Sequence, residues 1–407
     1  MYSTKKVMSQ KFSDRLLTIC GFFWAIPCVL FIRILRPWRI IRLSFFDTLH
    51  IGHFVMDSGI QWAMAQQETK HKFLDIYYFN SSKISNDFWA KMVRRNFIVA
   101  PRFWLRPIDL WNRLLPGGAA HYLIPPVATT SYSSDMCGWL VKAQGSMPFL
   151  PEEDDVAKQW LRRQGWQDGE LFICLLVRDS AYHGTQGGTQ AFRNSDIATY
   201  VDAAEWLANQ GVWVLRMGKT MANPMPSSHP RLIDYAFHSE KSDFLDIWLF
   251  AHCYFCITSG SGAQCISHVY NRPTLMLNYT PLTNLISWSN VIHLPKTLVW
   301  QKSGVPLTWR EYVDTVPDVS KCQTTFFLEA GIKIIDLTPE EILSAVQEYW
   351  QRLNETWIDR EVDCDRHQRF WEILQDSPNF SKMHRWVYPG PKVGTTWLRS
   401  MGDDFLN

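Results

Sequence analysis

Residues 251–265 read AHCYFCITSGSGAQC and offer two chemistries at once. Cys253 and Cys256 have the spacing of a metal or thiol-redox pair. Ser259, Gly260, Ser261 and Gly262 instead form a glycine turn of the kind that lets backbone amides approach a phosphate. In a strand, residues three apart point to opposite faces, and no second Cys or His pair follows at zinc spacing. The cysteines are therefore expected to be packing groups, no metal is expected, and the turn is the candidate functional element. A dinucleotide fingerprint is excluded because the third glycine of Gly-x-Gly-x-x-Gly is missing, and no Walker A sequence occurs anywhere in the chain.

Other polar residues are placed to join that turn. Arg178 ends the apolar run LFICLLVRDS, and Arg216 with Gly218 ends VWVLRMG. Guanidinium groups at strand ends can neutralise a diphosphate through paired hydrogen bonds. Arg193 and Asp196 in FRNSD, and Ser242 and Asp243 in KSDF, stand at helix starts, where helix capping is an equally good explanation. In HIGHFVMD, His53 follows Gly52 at a strand-to-helix junction and Asp57 lies a turn further on. A neutral histidine there could act as general base toward a hydroxyl, with Asp57 as its orienter or as the alternative base. The Gly-rich loop 179–192 adds Tyr182 and His183, as a lid and as a rival histidine.

These residues need a scaffold, and the hydrophobic pattern describes one. RLSFF, FLDIYYF and FIVA alternate with helical patterns up to about residue 115, and a second series begins near 171. LFICLLV, VWVLRMG, CYFCITS and TLMLNY are near-continuous apolar runs, as expected of parallel strands covered on both faces. The stretch 115–151, rich in Pro, Gly, Ser and Thr, separates the two series. TPEEILSAVQEYWQRL begins a helix, with Thr338 as cap and Pro339 in the first turn. The expected organisation is a membrane-associating segment over 1–39, a first Rossmann-like domain with its linker over 40–150, a second Rossmann-like domain over 151–345, and a tail over 346–407 that packs back on the body.

At 407 residues the chain exceeds what one core ordinarily fills. With 41 basic and 39 acidic residues there is no charge imbalance of the nucleic-acid-binding kind. The nine cysteines form no repeated framework and lie mostly in apolar runs, which fits free thiols in a reducing compartment. Residues 16–32 carry no charge and lie between Lys5, Lys6, Lys11 and Arg15 on one side and Arg33, Arg36, Arg39 and Arg42 on the other. A segment of this length is short for a span, and Pro27 interrupts it. Basic flanks at both ends suit a helix lying in the cytoplasmic face of the plasma membrane, with a single pass as the alternative.

Taken together, RNSD at 193–196, RMG at 216–218, KSDFLDI at 241–247, ITSGSG at 257–262 and HIGH at 50–53 resemble a bacterial glycosyltransferase family linked to surface-polysaccharide synthesis. More distantly they are similar to O- and α-1,6-fucosyltransferases. The resemblance implies a GT-B fold: two facing, Rossmann-like, doubly wound domains with the nucleotide-sugar held by the second. It implies transfer of the sugar to a hydroxyl of a surface glycan or its lipid-linked precursor, without cofactor or metal. Arg178, Arg216 and the 259–262 turn would then stabilise the leaving diphosphate. A nucleotide-sugar epimerase of similar build, and a membrane-tethered scaffold without activity, are the alternatives.

Overall fold

The computed structural model describes residues 21–67, 72–129, 133–143, 145–181, 188–317 and 321–407. Tyr182, His183 and the basic flank from Lys5 to Arg15 lie outside them. Two compact units are formed, residues 1–133 with 142–147 and residues 134–141 with 148–407.

In the first unit, β1 (Ile40–Phe46), β2 (Phe73–Phe79) and the two-residue β3 (Ile98–Val99) form a parallel sheet in that order. Side-chain alternation divides its two faces. Ile41, Leu43 and Tyr78 pack with Ala25, Val29 and Ile32 of α1 (Phe22–Ile34) and with Leu105 and Ile108 of α4 (Arg102–Leu114). On the opposite face, Phe46 stacks on Tyr77 at 4.5 Å, and Phe79 meets Phe54 of α2 (Ile51–Gln67) edge-on. A third helix, α3 (Asp87–Asn96), leads into β3 and is capped by the Asn86 side chain.

β1, β2 and β3 follow one another in one direction, and the other edge of β1 carries a single parallel bridge, Leu43 to Tyr122, where the Leu123 amide donates to the Leu43 carbonyl at 3.0 Å. Residues 16–20 of the uncharged segment 16–32 lie outside the described residues. Among the described residues no helix is long and apolar enough to cross a membrane. The 13 residues of α1 extend only about 20 Å, against roughly 30 Å of hydrocarbon.

The second unit holds a six-stranded, wholly parallel sheet in the order β6-β5-β4-β7-β8-β9. Its strands are β4 (Phe172–Leu176), β5 (Trp213–Arg216), β6 (Leu232–Ile233), β7 (Cys256–Thr258), β8 (Thr274–Tyr279) and β9 (Val291–Pro295). All residues of β4, β5, β7 and β9 are buried, which is why their sequences are dominated by apolar residues. Strand order reverses between β4 and β7, the point at which open α/β sheets leave a crevice beyond the carboxyl ends. The C-terminal segment belongs to this unit: Phe370, Ile373, Trp397 and Phe405 lie in the same core as the sheet.

The strand expected over CYFCITS is shorter than its apolar run. Cys253 instead closes the helix Asp243–His252, where its amide donates to the Leu249 carbonyl, and the strand begins only at Cys256. Both thiols are fully buried. Among the described residues no group of His, Cys, Asp or Glu is arranged to hold a metal ion.

Candidate active site

The Ser259–Gly262 turn leaves β7 at the reversal of strand order and is tied to the end of β4. The Ser259 amide donates to the Leu176 carbonyl at 3.1 Å, and its Oγ accepts from the Arg178 amide at 2.8 Å. Gly260 takes φ +86°, which needs glycine at little cost only there. The turn is internally satisfied to a degree its sequence did not announce. The Gly260 amide donates to Thr258 Oγ1 and the Ser261 amide to Gln264 Oε1, and Gly262 opens a short 3-10 turn. Few backbone donors therefore remain for an anion, and the positive charge at this edge comes from side chains.

Two arginines supply it. Arg178 Nε donates to Asn194 Oδ1 at 3.3 Å, and Arg193 reaches across to the Gly260 carbonyl at 2.7 Å. Both side chains are half-buried, and among the described residues neither has a carboxylate partner. Burial, reinforced by repulsion from Arg193, pushes the Arg178 guanidinium down to about 10. Two like charges held together at a sheet edge without a counter-ion are electrostatically incomplete, and an anion completes them.

The remaining donor-site candidates are engaged with other parts of the second unit. Arg216 lies in register with Leu175, three residues before Arg178 along the neighbouring strand. Its side chain is fully buried, faces Asp234 at 3.3 Å and the Asn223 carbonyl at 3.0 Å, and is a structural ion pair. Gly218 packs against Met221. Asp196 accepts from the Ala198 amide and Ser242 from the Leu245 amide, so both cap helix starts, and Asp243 pairs with Lys219 at 3.2 Å. Asn194 was missed. It fixes Arg178 by its side chain, while its carbonyl accepts from the buried Lys296 at 2.6 Å, a contact between residues 102 apart that no local motif could signal.

In the first unit, His53 and Asp57 lie one turn apart on α2, which starts at Ile51, so His53 is helical and does not sit in the preceding loop. His53 Nδ1 is 2.8 Å from the Ser133 hydroxyl. Burial holds its imidazole below the ordinary range, which keeps it neutral at physiological pH. Asp57 is fully buried and accepts from the Val127 amide at 3.1 Å. Burial pushes its carboxyl up to about 7, with Ser133 acting in the opposite direction. Burial wins because Oδ2 has no hydrogen bond of ordinary geometry. Ser133, itself buried and at φ +54°, is a second residue the sequence did not single out.

No protein-family profile matches the chain, and no curated protein is similar to it in sequence. Solved structures do resemble it. A glycosyl transferase family 9 protein from Veillonella parvula is 11% identical, covering 78% of this chain and 98% of its own, with a TM-score of 0.44. ADP-heptose lps heptosyltransferase II from E. coli is 10% identical, covering 77% and 100%, with a TM-score of 0.42. A UDP-GlcNAc 2-epimerase from Methanocaldococcus jannaschii, in complex with UDP-GlcNAc and UDP, is 10% identical, covering 63% and 88%, at 0.25. These likenesses are general ones of fold.

Proposed function

We propose that the protein is a GT-B-type glycosyltransferase that binds a nucleoside-diphosphate sugar at the carboxyl edge of the six-stranded sheet. The observation that supports this reading is the pair of half-buried guanidiniums, Arg178 and Arg193, without a carboxylate partner among the described residues and beside the Ser259–Gly262 turn. In the reaction, the bond between the sugar C1 and the diphosphate oxygen breaks and its electron pair leaves with the diphosphate. Arg178 and Arg193 neutralise that charge as it develops. A new bond forms between C1 and an acceptor hydroxyl of a surface glycan or its lipid-linked precursor. The hydroxyl proton is assigned to His53, neutral and held at Nδ1 by Ser133.

Calorimetric titration with UDP, GDP and ADP tests the donor site: one of them binds the wild type, and Arg178→Ala with Arg193→Ala abolishes the heat. Binding by none of the three would sink the reading. Turnover of a nucleotide sugar without any acceptor would replace it with the epimerase alternative. Because side chains neutralise the diphosphate in this proposal, transfer is expected to survive a chelator.

A further inference from the structure

The first unit carries an apolar surface that its core does not use. The buried side of α1 is Ala25, Val29 and Ile32, and these account for its packing on the sheet. A surface helix ordinarily turns polar residues outward on the other side. Here that side is Phe23, Leu30, Phe31 and Ile34, with Phe23 83% and Ile34 64% exposed. Trp38, just past the helix, is 75% exposed. The surface continues onto α4, because Trp24 Nε1 donates to the Trp104 carbonyl at 3.2 Å and the Trp104 ring is itself exposed. Contiguous exposed apolar side chains on this scale mark an interaction site.

Charge decides among the occupants. Residues 21–46 contain four arginines and no acidic residue. Arg42 is paired with Asp75, and Arg33 is held by the Asn112 and Leu115 carbonyls. Arg36 and Arg39 are exposed and, among the described residues, have no acidic partner. The single acid of α4, Asp109, is buried and paired with Arg113. An apolar face with aromatic residues and a rim of one sign matches a bilayer surface, where rings sit at headgroup level and arginines meet anionic lipid. A second copy of the chain would bring like charges together.

We propose that the outward sides of α1 and α4 together lie on an anionic lipid membrane, with α1 parallel to the surface. A span would require pulling Ala25, Val29 and Ile32 out of the core. The proposal is independent of the donor site and is tested without it. Full-length protein is sedimented with phosphatidylcholine vesicles with and without phosphatidylglycerol. Wild type is expected to sediment with the anionic vesicles and to be released by salt. Phe31→Glu with Ile34→Glu, and separately Arg36→Glu with Arg39→Glu, should each weaken binding at least about tenfold with unchanged thermal melting, since these side chains face outward. Failure of the wild type to bind, or equal binding by the Phe31/Ile34 variant, would overturn the proposal. So would a wild-type dimer that this variant dissolves, since the face would then join two copies.

Discussion

Arg178 and Arg216 follow or end neighbouring strands of one parallel sheet, in runs that read almost alike, and yet they do opposite work. Arg216 is buried with Asp234 as its counter-ion and Asn223 as a further acceptor. Arg178 is half-buried beside Arg193, and what the protein offers it is an amide oxygen. Strand register produces the difference. Arg216 is level with Leu175 and so remains inside the sheet, whereas Arg178 has passed its end and reaches the Ser259 turn. A charge that the fold has completed serves stability, and a charge that it has left incomplete is available to a ligand.

The largest effect separating the two is on stability. Arg216→Ala leaves Asp234 without its partner and a void beneath Phe237, over whose ring the guanidinium lies at 5.3 Å. A loss of about 3 kcal/mol is expected in denaturant unfolding, discounted for the partial exposure of Asp234. A variant as stable as wild type would break the assignment of Arg216 to the scaffold. The reverse profile is expected at the other strand. Arg178→Ala and Arg193→Ala should each weaken nucleoside-diphosphate binding about 30-fold, near 2 kcal/mol, with the melting temperature unchanged or raised as repulsion is relieved. If either substitution destabilised the fold as Arg216→Ala does, the contrast would disappear.

Asp57 is the acidic counterpart of this incomplete pair: a buried carboxyl with no cationic partner among the described residues. Its folded value near 7 lies above the ordinary 3.8, so between these the folded state holds more proton than the unfolded state. Stability is therefore greatest below about pH 4 for this group, falls as pH rises toward 7, and levels off above. Asp246, pushed to about 6 by burial, contributes with the same sign. Asp57→Asn should reduce the slope of unfolding free energy over that interval by up to about 1.4 kcal/mol per pH unit. An unchanged slope in denaturant melts taken from pH 4 to 7 would show that Asp57 is ionised in the folded protein.

How much of this was legible depended on the range of the contact involved. The strands of the second unit announced themselves because burial on both faces leaves no polar residue in FICLL and only the terminal Arg216 in WVLR. The SGSG turn and Arg178 were found for the same local reason, since both border an apolar run. The pairing of Arg216 with Asp234 depends on register, and that of His53 with Ser133 joins residues 80 apart, so no spacing rule reaches either. Cys253 shows the converse failure. Its apolar neighbours suited a strand, but the segment was already occupied as the end of a helix. The sequence of α1, apolar except for Arg33, could not say which side met the sheet; packing of Ala25, Val29 and Ile32 settled that.

The smallest effect probes the joint between the turn and the pair. At φ +86°, Gly260 holds its carbonyl against Arg193, and a Cβ built there would stand 3.4 Å from both the Arg193 guanidinium and the Tyr279 ring. Gly260→Ala thus adds backbone strain of about 1 kcal/mol and crowds the one contact that fixes Arg193 to the turn. Unfolding should show the strain, and nucleoside-diphosphate affinity should fall by a few-fold, well short of the loss in Arg193→Ala. Affinity unchanged beside the lower stability would mean that Arg193 reaches the ligand without being positioned by the turn. Affinity lost as completely as in Arg193→Ala would mean that the turn itself, more than the two guanidiniums, makes the anion site.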